Sequence, residues 1–179
     1  MIALYDRFAN GLSRLAPAAL PTLARLTFAA VLLIYFWNSA RTKFGDGFAG
    51  LFTPSDGAYY QIFPKVIEAA GYDFSQLTAF HWAVVMAGTW AEVLLPLLII
   101  VGLFTRFAAL GMIGFVIVQS LTDVLGHGVG GDDLGRWFDV ASGSLILDQR
   151  ALWVTLLLTL VLMGAGPLSL DRFLACKRA

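Results

Sequence analysis

Charge is scarce in this chain. Only 13% of its 179 residues are charged and 59% are hydrophobic, against about 25% and about 45–50% in a soluble domain. That balance excludes an ordinary soluble domain and points to a protein whose solvent is lipid. The formal net charge is zero, so there is no basic excess of the kind that holds nucleic acid. Cys176 is the only cysteine, which excludes an internal disulfide, a CxxC redox pair and a cysteine-ligated iron–sulfur cluster. His81 and His127 form no HxxxH or Cys/His cluster, and no haem-ligand pair or flavin motif stands out. No metal site is therefore expected. The GGDD stretch from Gly130 to Asp133 is too short of ligands for a calcium loop.

Long apolar runs are plentiful. A helix needs about 20 mostly apolar residues to cross a bilayer, and four segments qualify: about residues 23–40, 80–104, 107–125 and 145–165. None shows the period-two alternation of a barrel strand. The expected fold is all-α, one integral-membrane domain over residues 1–179 built as a four-helix bundle. The first 17 residues are too long and too patterned for a signal n-region. Tyr5, Phe8, Leu12 and Leu15 recur at helical spacing, with Asp6, Arg7, Asn10, Ser13 and Arg14 on the other face. This predicts an amphipathic helix in the membrane interface, set off from the first span by Pro17 and Pro21.

The second and third runs are joined by VGLFTRF. Gly102 can end one helix and Thr105 can cap the next, making a tight antiparallel hairpin. Two long loops, about Arg41 to Ala79 and Gly126 to Ser144, then share the opposite side. The first contains a helical stretch around Lys65 to Ala70, expected to be interfacial or re-entrant. The second is glycine-rich and acidic, with Trp137 and Phe138 as interface anchors. Arg7, Arg14, Arg25, Arg106, Arg172, Lys177 and Arg178 lie on the side of the termini. Arg41, Lys43, Lys65, Arg136 and Arg150 lie on the other. The excess of basic residues predicts that both termini are cytoplasmic and that the long loops are outer.

Glu92 is the only charged residue between Phe80 and Thr105. Gly88, Thr89, Leu95 and Pro96 share its helix face, and Ala83, Ala87 and Ala91 form a small-residue ridge beside it, so it is expected to face the bundle. Pro96 deprives the Glu92 carbonyl of its usual amide partner. His81 lies on the same face near the outer end. Gln119 and Asp123 sit four apart on the third helix, and Asn38, Arg41 and Lys43 close the outer end of the first. A polar pocket open to the outer face, with Glu92 at its floor, would gather these groups and leave out Arg25 and Arg106. Two readings stay open. Glu92 is a neutral acid or ion-pair partner that fixes helix register, or it marks a ligand, quinone or proton site.

The stretch AEVLLPLLIIVGLFTRFAALGM, the ending GAGPLSLDRF, and Arg25 followed by an apolar run and Lys43 resemble the DoxX family over about residues 22–173. Two departures stand out. NSARTK lacks the glycine that usually precedes the lysine, and LILDQRALW carries Asp148 and Arg150 where relatives near metal-peptide biosynthesis genes often place a histidine. The resemblance implies a four-helix protein of the bacterial inner membrane. Its polar signature falls on Arg25, Lys43, Glu92, Thr105, Arg106, Ser169 and Asp171. It also implies kinship with membrane subunits of thiosulfate:quinone oxidoreductases and with membrane partners of redox-stress or metal-handling systems. The first functional expectation is an anchor or accessory subunit of a larger redox or respiratory-type complex, with protein partners docked on the outer loops. The second is a quinone-interacting oxidoreductase subunit, with Glu92, Gln119, Tyr35, Trp37 and Trp90 around the headgroup. The third is a small-solute or ion passage.

Overall fold

The computed structural model describes residues 1–177. Arg178, one of the basic residues counted above, lies outside the described residues. The described residues are helical, with one isolated β-bridge among them, between Phe44 and Pro54. Four helices are long and apolar enough to cross a membrane: span 1 (Ile2–Lys43), span 2 (Ala79–Val101), span 3 (Thr105–Gly126) and span 4 (Leu145–Met163). Span 1 packs on spans 2 and 4, and span 3 packs on the same two, so the spans form a closed ring.

The core is set by residues three and four apart on facing stripes. Phe28, Leu32 and Phe36 of span 1 meet Ile99 of span 2, Ala108, Met112 and Val116 of span 3, and Leu157 and Leu160 of span 4. Phe36 is fully buried and stands edge-on to Phe115, ring centroids 5.9 Å apart. The outward faces carry exposed Val31, Leu94, Leu97, Ile117 and Leu162. A bundle that buries one stripe per helix and presents leucine and isoleucine on the other is dissolved in lipid.

Span 1 differs from expectation. Pro17 and Pro21 do not separate an amphipathic helix from the membrane span; both lie inside a single helix that continues, through a π-wound turn at Ala29–Leu33, to Lys43. Each proline removes one backbone bond, and the many bonds on either side of the pair carry the helix through. Tyr5, Phe8, Leu12 and Leu15 are all exposed on the extension, as an interfacial stripe requires. Span 2 ends at Val101 rather than near Phe104, because Gly102 adopts the left-handed conformation at φ 74°. Its N–H and that of Leu103 both close on the Leu98 carbonyl, at 2.9 and 3.0 Å.

The first long connection is folded. It holds helices Asp56–Ile62 and Pro64–Ala69, the second close to the stretch expected around Lys65. Ser55 caps the first, accepting the Ala58 N–H at 3.2 Å. The indole N–H groups of Trp82 and Trp90 reach out from span 2 to the carbonyls of Phe52 and Leu51, each at 3.1 Å. The connection is thereby tied over the end of the bundle. In the second connection the Trp137 indole donates to the Leu147 carbonyl at 2.8 Å, while Phe138 and Val140 are exposed.

Candidate functional site: a cleft between spans 2 and 3

The polar residues divide into two groups at opposite ends of the bundle. The first lies on the side of the termini. Arg25 directs its guanidinium at carbonyls of the last turn of span 2 and of the segment after span 4: Nε donates to Ile99 at 2.9 Å, Nη1 to Ala165 at 3.0 Å and also to Leu168, and Nη2 to Ile100. Arg106 Nη1 donates to the Val161 carbonyl in the last turn of span 4, at 3.0 Å. Asp171 accepts the N–H groups of Phe104 and Thr105 at 2.8 and 3.0 Å, while its own N–H donates to the Gly102 carbonyl at 2.8 Å. Ser169 caps the short helix that carries Asp171, accepting the Arg172 N–H at 3.2 Å. These side chains satisfy helix ends that lipid cannot. Thr105 was expected to cap span 3. It is instead the first helical residue, its hydroxyl buried without a partner, and the capping oxygens come from Asp171.

The second group lies toward the long loops. Glu92 occupies the inward stripe of span 2 with Val85, Thr89, Pro96 and Ile99, at 2% exposure. Lys43, the last residue of span 1, is 6% exposed and donates to both Glu92 oxygens, at 3.0 and 2.9 Å. It also donates to Ser39 Oγ at 2.6 Å and to the Ser39 carbonyl at 3.3 Å. The Ser39 hydroxyl donates to Glu92 Oε1 at 3.0 Å. A buried ion pair of this kind offsets its desolvation only when such extra hydrogen bonds are present.

Beside this pair is a cleft of about 490 Å³ between spans 2 and 3. Its walls are apolar and built largely of small residues: Ala87, Gly88 and Ala91 on span 2, Gly111 and Gly114 on span 3, with Leu95, Phe115 and Val118. Ala87, Gly111, Gly114 and Val118 are exposed, so the cleft opens sideways onto the face that lipid covers. Its polar lining is Ser39, Lys43, Glu92, Gln61, Gln119, Thr122, Asp123 and His127. Gln119 donates to the Tyr35 hydroxyl at 2.9 Å, and its amide oxygen is buried without a partner. Asp123 is held by Arg150 of span 4 at 2.6 Å; Arg150 is 3% exposed and also donates to Ser120 Oγ at 2.9 Å. A His127 ring nitrogen lies 2.9 Å from the Gln61 carbonyl.

The cleft therefore gathers Lys43, Glu92, Gln119 and Asp123, and leaves out three residues expected near them. Arg41 is exposed and does not line it. Asn38 is exposed on another face of span 1. His81 is spent at the start of span 2, where its Nδ1 accepts the Thr78 N–H at 3.1 Å. The aromatic wall also differs. Tyr35, Trp37 and Trp90 do not line the cleft; Trp37 donates to the Val93 carbonyl at 3.3 Å and Trp90 to Leu51, and Phe115 is the ring that faces the space. Ser39, Gln61, His127 and Arg150 were not anticipated here. Ser39 stands one turn before Lys43 and His127 one turn after Asp123, a spacing visible in the sequence; the pairing of Arg150 with a residue of span 3 has no local signal. Among the described residues, no group of three or more His, Cys, Asp or Glu side chains could hold a metal ion.

A family model described as DoxX matches residues 20–123, more than half of the chain. The match covers span 1 from residue 20 onward, all of span 2 and most of span 3, including both residues of the Lys43–Glu92 pair. No curated protein and no solved structure matches.

Proposed function

The chain belongs to the DoxX family, and on that premise we propose that it is an accessory membrane subunit of a larger redox complex that seats the headgroup of a lipid-soluble quinone in its cleft. One observation carries the reading: a cleft with apolar small-residue walls, open to lipid, whose polar groups gather around a buried Lys43–Glu92 pair. A quinone has the matching chemistry. Its tail stays in the bilayer, its flat ring slides between glycine-bearing helix faces, and its carbonyl oxygens need donors. Lys43 supplies an ammonium, and Glu92 a carboxyl group that can take or give a proton. A polar end within a mostly apolar pocket is the usual form of a small-molecule site, and ionisable groups inside a membrane are functional candidates by default.

Electrons reach such a site from a cofactor on a partner subunit, which docks on the folded loop connections. The membrane is a bacterial inner membrane, with both termini in the cytoplasm, as the basic bias of Arg14, Arg25, Arg106 and Lys177 favours. The test is purification in mild detergent from its native membrane, followed by mass spectrometry of bound lipids and subunits. A quinone retained by wild type and lost from the folded double variant Lys43→Met with Glu92→Leu, together with stoichiometric partner subunits, supports the reading. Recovery of the folded protein with neither one counts against it.

A further inference from the structure

Gln119, Asp123 and His127 follow one another at intervals of four along span 3 and the residue just past its end, and all three line the cleft. The last two flank or belong to a π-wound turn, Thr122–Gly126. Such turns gather at functional sites. At the loop end the column meets Gln61 of the first long connection, the His127 ring lying 2.9 Å from its carbonyl. At the other end the cleft is pinched. A Cβ placed on Gly111 would meet the Leu95 side chain at 3.2 Å. Beyond that point lie the apolar core around Phe28, Ile99 and Met112 and then the Arg25 and Asp171 clasp. Polar groups thus run from Glu92 toward the long loops, and packed apolar side chains separate Glu92 from the side of the termini.

The geometry points to a one-sided proton inlet: Glu92 exchanges its proton only with the aqueous phase on the side of the long loops, along the column Gln119, Asp123 and His127. This deepens the quinone reading and rests on it for its purpose, because it fixes the side from which protons at the headgroup come. The step itself is acid–base exchange. A hydronium ion at the loop face gives up a proton, which reaches the Glu92 carboxylate through water held along the column and leaves water behind. The charged and polar groups that face this route come from every packed element: Ser39 and Lys43 of span 1, Gln61 of the connection, Gln119, Thr122 and Asp123 of span 3 with His127 just past its end, and Arg150 of span 4 through Asp123. Arg150 and Lys43 balance the two carboxylates, so the route carries no net charge that would trap a cation. The buried, unpartnered Gln119 amide oxygen and Arg150 Nε offer an acceptor and a donor beside it.

The experiment uses the full chain in lipid vesicles of known orientation, with different buffers inside and outside. A lipophilic carbodiimide adds to a protonated carboxyl group to form a stable acylurea, read at Glu92 by peptide mass spectrometry, with Glu92→Gln as the blank. The expected result is a labelling rate that rises about tenfold per unit of acidification on the loop side while the carboxyl is mostly ionised. It stays unchanged when the side of the termini is acidified. A rate that follows the side of the termini, or both sides, overturns the inlet, and so does the absence of any Glu92 adduct across the pH range. Two single-cysteine variants in a Cys176→Ser background, Thr122→Cys and Val118→Cys, supply an independent reading. A membrane-impermeant thiol reagent is expected to modify both from the loop side alone; reaction from the other side, or from neither, contradicts the proposal. Neither readout needs a quinone, so an inlet that fails and a headgroup site that fails are told apart by measuring quinone retention in the same preparation.

Discussion

Asp171, in the short helix after span 4, caps the hairpin between spans 2 and 3 by accepting the N–H groups of Phe104 and Thr105 at 2.8 and 3.0 Å. Phe104 holds a left-handed conformation, φ 49°, which costs a non-glycine residue energy and needs fixing from outside. Asp171→Ala removes the cap and is expected to cost about 1–2 kcal/mol. The check is the thermal midpoint in detergent, which falls while quinone retention at low temperature stays at the wild-type level.

Arg25 ties the same end of the bundle by carbonyls of span 2 and of the segment after span 4. Lysine keeps the charge but not the planar fork. Arg25→Lys is therefore expected to lose about 1.5–3 kcal/mol, most of the loss expected of Arg25→Ala. Equal stability of Arg25→Lys and wild type in urea or thermal titrations would show that charge alone suffices.

The Lys43–Glu92 pair separates a structural from a functional role. Breaking it on one side leaves a buried unpaired charge, a cost of about 3–5 kcal/mol. Lys43→Met is expected to fold poorly, and Lys43→Met with Glu92→Leu to recover most of the stability. The account predicts that this double variant, although folded, retains no quinone. Glu92→Gln, which keeps shape and a hydrogen-bonding group, is expected to fold and to lose turnover in the assembled complex. A folded double variant with full activity would reduce the pair to a register device.

Arg150 and Asp123 form a second ion pair, which joins spans 3 and 4. Arg150→Leu leaves Asp123 at the cleft edge without its cation and is expected to destabilise more than Asp123→Asn. The two changes together should be less than additive, because the residues share one contact. Chemical denaturation of the four proteins of the cycle measures it.

The parts of this structure that follow from local pattern were legible in the sequence. Four apolar runs become four spans, Gly102 ends span 2, and the stripe of Gly88, Thr89 and Pro96 carries Glu92 into the bundle. What depends on distant residues was not legible. Helix-breaking proline at Pro17 and Pro21 argued for a boundary, yet the helix on both sides of them is long enough to run through. Thr105 has the side chain of a cap, but Asp171 reaches the same N–H groups from the far end of the chain. Tyr35, Trp37 and Trp90 looked like ring walls for a ligand because aromatic residues near a carboxylate suggest one. Their helix faces turn them to other helices, the loops and lipid instead. Lys43 was one of two cations at the outer end of span 1, with Arg41, and only the bundle's packing selects it as the partner of Glu92.

The central claim, a quinone headgroup seated between spans 2 and 3, is tested most directly by photocrosslinking. A photoreactive quinone is added to the purified protein, and crosslinked peptides are mapped in wild type and in Gly114→Leu. No heavy atom lies within 4 Å of a Cβ built on Gly114, so a side chain starts there without a clash and leucine takes up part of the cleft that Gly114 lines. The account predicts crosslinks in wild type within Val84 to Leu95 and Gly111 to Asp123, competed by unlabelled quinone and lost in Gly114→Leu. Crosslinks that fall elsewhere, or that persist undiminished in folded Gly114→Leu, would contradict it.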